Sequence, residues 1–222
     1  MPDPGALADP SRPEVASQPR LVAALGDSIT AGSPLWDPNP SQRADDGSAD
    51  ERSQFEYWAE RELDGFEFRN CGVWGERTDE IAARFDACVE GAEILIVQGG
   101  INNIVQGEPI GPAVSDLRAM VERGKALGLE TYLVDVLPWN NGYPQAVGPI
   151  NALNRKIARL AADEEVPLIG FHDILEDPAA PDRMRPDLTI EGDHPSIAGY
   201  RLLGLEVANA LSLDPPAANR PK

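Results

Sequence analysis

Two stretches of the chain carry residues that could form a serine nucleophile and its base. Near the start, the apolar run Leu21-Val22-Ala23-Ala24-Leu25 leads into Gly26-Asp27-Ser28-Ile29-Thr30, and near the end Glu191-Gly192-Asp193-His194-Pro195 precedes the last apolar segment. An apolar run bounded by glycine reads as a buried parallel strand. Polar residues just past its carboxyl end stand where open α/β sheets gather their ligands. A serine hydroxyl becomes a nucleophile when one neighbouring base takes its proton, and the only two histidines are His172 and His194. Two histidines cannot build a three-histidine zinc site. His194 has Glu191 three residues upstream and Asp193 beside it. A carboxylate in the same short loop can hold the imidazole in one tautomer, leaving the other ring nitrogen for a hydroxyl. His172, next to Asp173, reads as structural. The bland alternatives stay open on these residues alone: Gly-Asp-Ser as an ordinary turn and N-cap, and His194 as a cap of the last helix.

The elements that would position these residues alternate along the chain. Residues 1–20 are rich in Pro, Ala, Asp and Ser without periodicity and read as a flexible arm. The folded domain is expected over 21–213, with 214–222 as a tail. Pro34 to Arg52 is a further Pro, Asp and Ser stretch, expected to be structureless and to rim a site after Ser28. Ser53 to Leu63 has helical spacing through Phe55, Trp58, Ala59 and Leu63, with Ser53 and Glu56 as a capping box. Phe66 to Cys71 alternates apolar and polar, as in a sheet-edge strand with one wet face. Helical patterns follow at 78–89, 113–127, 150–162 and 196–211, interleaved with strands at 94–97, 131–136 and 166–169. Strands alternating with helices at these lengths predict a parallel sheet with helices on both faces. The expected class is α/β, a three-layer α/β/α sandwich on a flavodoxin-like five-stranded parallel sheet of order 2-1-3-4-5. Its switch point lies between strands one and three, so Ser28 and Asn102 end on one crevice.

Composition limits the partners. Among 222 residues, 37 acidic against 19 basic give a net charge of −18, a field that repels nucleic acid and anionic membrane surfaces. A neutral or cationic small molecule suits it better, although acidity also serves solubility. The hydrophobic content of 42% supports one substantial core. No stretch has the length of a membrane span and the N-terminus lacks a signal-peptide pattern, so the chain reads as soluble, cytoplasmic or secreted with its signal removed. Cys71 and Cys88 read as packed thiols, with a single disulfide as the alternative.

With these motifs in place, the chain resembles the SGNH hydrolases of the GDSL esterase and lipase superfamily. Gly26-Asp27-Ser28-Ile29-Thr30 is similar to the nucleophile block, and Asn70-Cys71-Gly72-Val73-Trp74-Gly75 to the second block. Gly100-Ile101-Asn102-Asn103 is similar to Gly-x-Asn-Asp, and Glu191-Gly192-Asp193-His194-Pro195 to Asp-x-x-His-Pro. The likeness spans residues 21–211. It implies Ser28 as nucleophile, His194 as base, Glu191 as the orienting acid with Asp193 as rival, and an oxyanion hole from the amides of Ser28 and Gly75 and the side chain of Asn102. Two positions depart from the pattern: Asn103 removes a charge that normally supports its loop, and Glu191 stands where aspartate is usual.

The resemblance implies hydrolysis of a carboxylic ester through a serine acyl-enzyme, with no metal and no organic cofactor. A short-chain acyl ester or an acetylated carbohydrate is the expected substrate. Trp36, Trp74, Trp139 and Tyr143 fall in loops expected to rim the crevice and could stack on a sugar or line an acyl pocket, or simply anchor their loops. No lid for an oil surface is evident. Two other readings remain: a non-catalytic ester, sugar, nucleotide or flavin-binding module, with Ser28 to Gly32 cradling a phosphate, and a degenerate hydrolase that binds without turnover.

Overall fold

A computed structural model of the protein describes residues 18–43, 48–139 and 144–213. The expected arm up to residue 17, the tail from 214, and Tyr143 lie outside the described residues. The first strand, β1 (Arg20–Gly26), is followed at once by a single helical turn, α1 (Ser28–Ala31). Next come α2 (Phe55–Glu62), the strand β2 (Phe66–Gly72), and two short helices, α3 (Thr78–Ala83) and α4 (Phe85–Val89). The strand β3 (Ile94–Val97) leads into α5 (Ile101–Val105) and α6 (Ile110–Ala126), then β4 (Glu130–Val134), α7 (Val147–Asp163) and β5 (Leu168–Ile169). The chain closes with α8 (Phe171–Leu175), a hairpin of β6 (Glu176–Asp177) and β7 (Ala180–Met184), and α9 (Ile197–Ser212).

Five parallel strands pair in the order β2-β1-β3-β4-β5, the order expected from the sequence. Successive residues of β1 feed opposite faces of the sheet. Ala23 and Leu25 join Ile81, Phe85, Leu117 and Ile157 on one side. Val22 and Ala24 join Phe55, Ala59, Tyr200 and Leu203 on the other. β3, Ile-Leu-Ile-Val, is buried at every position, which is what a central strand covered on both faces requires. Among the described residues no helix is long and apolar enough to cross a membrane.

Several expectations need correction. The helix expected over 78–89 is two helices meeting at Arg84, whose φ of −96° and ψ of 1° break the ladder. The stretch from Pro34 to Arg52 is not structureless where described. It carries 3₁₀ turns at Pro40–Gln42 and Glu51–Ser53, and the Ser53 hydroxyl donates to Gly32 O at 2.6 Å. That bond takes the place of the expected capping box, since α2 begins after Gln54 with no side-chain cap and Glu56 is buried. Burial holds the Glu56 carboxyl well above its ordinary range. Cys71 and Cys88 form a disulfide between the end of β2 and α4, with Cα atoms 6.0 Å apart, within the usual range. The hairpin of β6 and β7 had no counterpart in the sequence reading.

Candidate active site

Ser28 is the first residue of α1, set on the end of β1 by a turn with no slack. Asp27 is the N-cap, its Oδ1 accepting from Ile29 N at 2.9 Å. Gln98, directly after β3, accepts through Oε1 from Asp27 N at 3.1 Å and from the Thr30 hydroxyl at 2.9 Å. The turn between β1 and α1 is therefore tied to the next strand by one side chain. Gly72, paired with Gly26 across the sheet, lets β2 come against α1, because a Cβ there would lie 2.0 Å from Ala31 N. Asp27 is fully buried and its Oδ2 has no hydrogen-bond partner among the described residues. Burial raises its carboxyl to about 6, partly offset by the Ile29 amide, Gln98 and the nearby His194. A carboxylate already capping this N-terminus leaves little room for a phosphate, which counts against the nucleotide-binding alternative.

His194 reaches this turn from the other end of the chain. Its Nε2 lies 3.1 Å from Ser28 Oγ. The loop carrying it is a narrow hairpin: Ile190 N donates to His194 O at 3.0 Å, the Thr189 hydroxyl to the same carbonyl at 2.8 Å, and Gly192 N to Thr189 Oγ1 at 2.8 Å. These bonds decide which acid meets the imidazole. Asp193 Oδ1 is 3.3 Å from His194 Nδ1, and both side chains are largely buried. Glu191, the expected partner, sits exposed at the hairpin's tip beside Gly192, which adopts a positive φ of 91°. In this closed hairpin Glu191, expected from the motif spacing, points outward, and the Asp193 carboxylate is the one that lies beside the imidazole. In the tautomer protonated at Nδ1, Nε2 can accept from the serine hydroxyl.

The third and fourth groups meet beside this pair. Val73 N donates to Gly26 O at 3.1 Å, which draws the loop containing Gly75 to the end of β1. Three side chains of the α5 region then hold that loop. Asn102 Nδ2 donates to Glu76 O at 2.9 Å, Asn103 Oδ1 accepts from Thr78 N at 3.1 Å, and Gln106 Nε2 donates to Gly75 O at 3.0 Å. With one Asn102 N–H committed to Glu76, the other remains for a ligand. Asn103, where a charge had been thought missing, does its work as a neutral, buried acceptor. A further clamp was missed altogether. The Arg84 guanidinium binds both Glu76 carboxylate oxygens, the shortest contact at 2.6 Å, together with Cys71 O at 2.8 Å and Gly26 O at 3.1 Å. One cation thus joins the ends of β1 and β2 to the Gly75 loop.

The aromatic residues divide differently from expectation. Trp139 is core, 8% exposed, and the Trp36 ring is covered by the Arg43 guanidinium at 3.6 Å. Trp74 is 68% exposed beside the Gly75 loop. His172 and Asp173 of α8 with Glu176 of β6 bring ligand atoms within 4.8 Å of one another, the arrangement among the described residues that could hold a metal ion. Its backbone is anchored at Asp135, whose carboxylate accepts from Phe171 N and His172 N.

A sequence model described as the GDSL-like Lipase/Acylhydrolase family matches residues 24–202. A search of curated proteins gave no match. Solved structures share the fold at low identity. A lipolytic G-D-S-L family protein from Desulfitobacterium hafniense DCB-2 is 22% identical with a TM-score of 0.71, covering 86% of this chain and 98% of that one. A GDSL-like lipase from Bacteroides thetaiotaomicron is 18% identical with a TM-score of 0.66, covering 88% and 91%. An acetyl xylan esterase, AlAXEase, is 18% identical with a TM-score of 0.69, covering 86% and 99%.

Proposed function

The chain belongs to the GDSL-like lipase/acylhydrolase family, and from that premise we propose that it is a serine esterase that cleaves short-chain carboxylic esters through an acyl-enzyme. The observation that carries this reading is the 3.1 Å separation of Ser28 Oγ and His194 Nε2 at the switch point of the sheet. Ser28 Oγ attacks the ester carbonyl carbon as its proton passes to His194 Nε2, and Asp193 steadies the resulting imidazolium. The charge on the carbonyl oxygen is met by the amides of Ser28 and Gly75 and by the Asn102 side chain, donors each worth about 10² to 10³ in rate. The bond from carbonyl carbon to alkoxy oxygen then breaks, and His194 returns the proton to the departing alcohol. Water, deprotonated by His194, attacks the acyl-enzyme; the acid leaves and Ser28 regains its proton. The residues provide every proton transfer, and no step calls on a metal or an organic cofactor. The field of the acidic chain disfavours an anionic substrate.

The test is p-nitrophenyl acetate hydrolysis by the wild type and Ser28→Ala, matched by circular dichroism. Wild-type turnover well above background and a loss of roughly 10⁶ in kcat for the variant are expected. A silent wild type, or an equally active variant, overturns the reading.

A further inference from the structure

A cleft of about 560 Å³ lies over the carboxyl end of β2, the strand next to the one that ends in the Ser28 turn. Its position follows from the sheet. Gly72, in its floor, is the register partner of Gly26, two residues before Ser28, and neighbouring strands are about 4.8 Å apart. The cleft and the Ser28 turn therefore stand at the carboxyl ends of adjacent strands. The walls are the segment from Asp37 to Gln42 on one side and the disulfide-bearing end of α4 on the other.

The lining is mixed in a specific way. Val73, Pro38 and the Cys71–Cys88 bridge give it apolar surface, and the exposed Trp74 ring stands at its mouth. Its polar groups fall into two sets. Arg84 is consumed by Glu76 and two carbonyls, and Asn70 donates to Thr30 O and to Gln54. Gln42 has a side-chain amide with no hydrogen bond among the described residues, and Asp37 uses only Oδ1, for Asn39 N. An indole face with free amide and carboxylate edges fits a ring that is apolar on its faces and hydroxylated round its rim. It does not suit an acyl chain, which leaves those edges unpaired, nor an anion, which meets Asp37.

We propose that this cleft is the subsite for the alcohol half of the substrate, and that it takes a neutral saccharide ring stacked on Trp74 with hydroxyls bonded to Gln42 and Asp37. The proposal rests on the esterase reading above. It names which half of the ester is recognised and by which residues.

Two measurements separate it from that reading. The first compares kcat/KM for acetylated xylo-oligosaccharides with kcat/KM for p-nitrophenyl acetate. Trp74→Ala is expected to lower that ratio about 10-fold, the scale of a lost aromatic contact, Gln42→Leu to lower it a few-fold, and Trp74→Phe to restore most of it. A ratio that no variant moves overturns the proposal while leaving the esterase reading intact. So does a wild type that prefers acetylcholine, since the cleft then serves a cation. The second measurement needs no turnover: titration of Ser28→Ala with unacetylated xylotriose, followed by tryptophan fluorescence. A saturable change that Trp74→Phe abolishes supports the subsite even if the esterase reading has failed, and its absence overturns the subsite even if the esterase reading has succeeded.

Discussion

The Ser28 turn and the His194 hairpin meet within one hydrogen bond, yet they are built on opposite principles. Ser28 stands on the second strand of a five-stranded sheet, in a turn fixed by Gln98 from β3, by Gly72 of β2 and by the Asp27 cap. Its geometry is over-determined by long-range contacts. His194 sits on a hairpin fixed almost wholly by its own residues, Thr189 to His194. A change on the first side has to move the sheet, whereas a change on the second has only to move a loop. Which acid lies beside the imidazole, Asp193 inward and Glu191 outward, follows from the hairpin's local bonds and not from the spacing of its motif.

The largest test of that contrast lies in the hairpin. Asp193→Asn is expected to lower kcat for p-nitrophenyl acetate by roughly 10³ to 10⁴, the scale of a lost orienting carboxylate, while Glu191→Gln stays within about two-fold of the wild type, as for other exposed changes. The opposite ranking in steady-state kinetics would mean that the hairpin turns the other way in solution. On the Ser28 side, Arg84→Met frees the Gly75 loop from β1 and β2 while leaving Ser28, His194 and Asn102 unchanged. A drop of about 10- to 100-fold in kcat with little change in KM is expected, as for an offset of roughly 1 Å. Partial recovery in Arg84→Lys marks a positioning role; equal losses in kcat and in thermal stability with no recovery would argue for scaffolding alone.

Reduction of the disulfide probes the same side more gently. Its sequence separation is 17 residues, for which loop-closure entropy gives roughly 3 kcal/mol. That corresponds to a fall of about 6 to 12 °C in Tm for a domain of this size. A scan with and without dithiothreitol, with Cys71→Ser as control, decides it. The smallest effect is in pH. The Asp27 carboxyl is raised from 3.8 to about 6 by burial, so the folded state holds a proton that the unfolded chain releases first. Its contribution to stability is complete below about pH 4 and is lost as pH rises through about 6. Asp27→Asn keeps the acceptor for Ile29 without the charge. Its Tm relative to wild type is therefore expected to rise across that window, and a constant difference would remove Asp27 as the cause.

The contrast also explains what could be read from the chain. β1, β3, α2, α6, α7 and α9 carried their periods in plain view, because each buries one face or two against the sheet. Ser28 and His194 were legible since each follows or precedes such an element. Gln98 left a faint signal, a lone amide closing an otherwise apolar strand. Arg84 and Glu76 left none: they pair with each other, the guanidinium's other partners are the carbonyls of Gly26 and Cys71, and a carbonyl is the same in every residue. The choice of Asp193 over Glu191 was hidden for the converse reason, since it depends on the path of a few residues whose types fit several turns. The hairpin at 176–184 had too few residues per strand to show a period.

Closing the edge of β2 has a consequence for how this protein would fail. An edge strand offers a row of unpaired backbone groups to other chains. Here Phe68 N is taken by the Glu60 carboxylate at 3.0 Å, Arg69 reaches across to Cys88 O and Glu90 O, and the disulfide holds α4 in place beside them. Those bonds work as guards against strand-to-strand association as much as struts. Reduction of the bridge removes one of those guards, so the alternating segment from Phe66 to Cys71 is the place where association with a second copy is expected to begin.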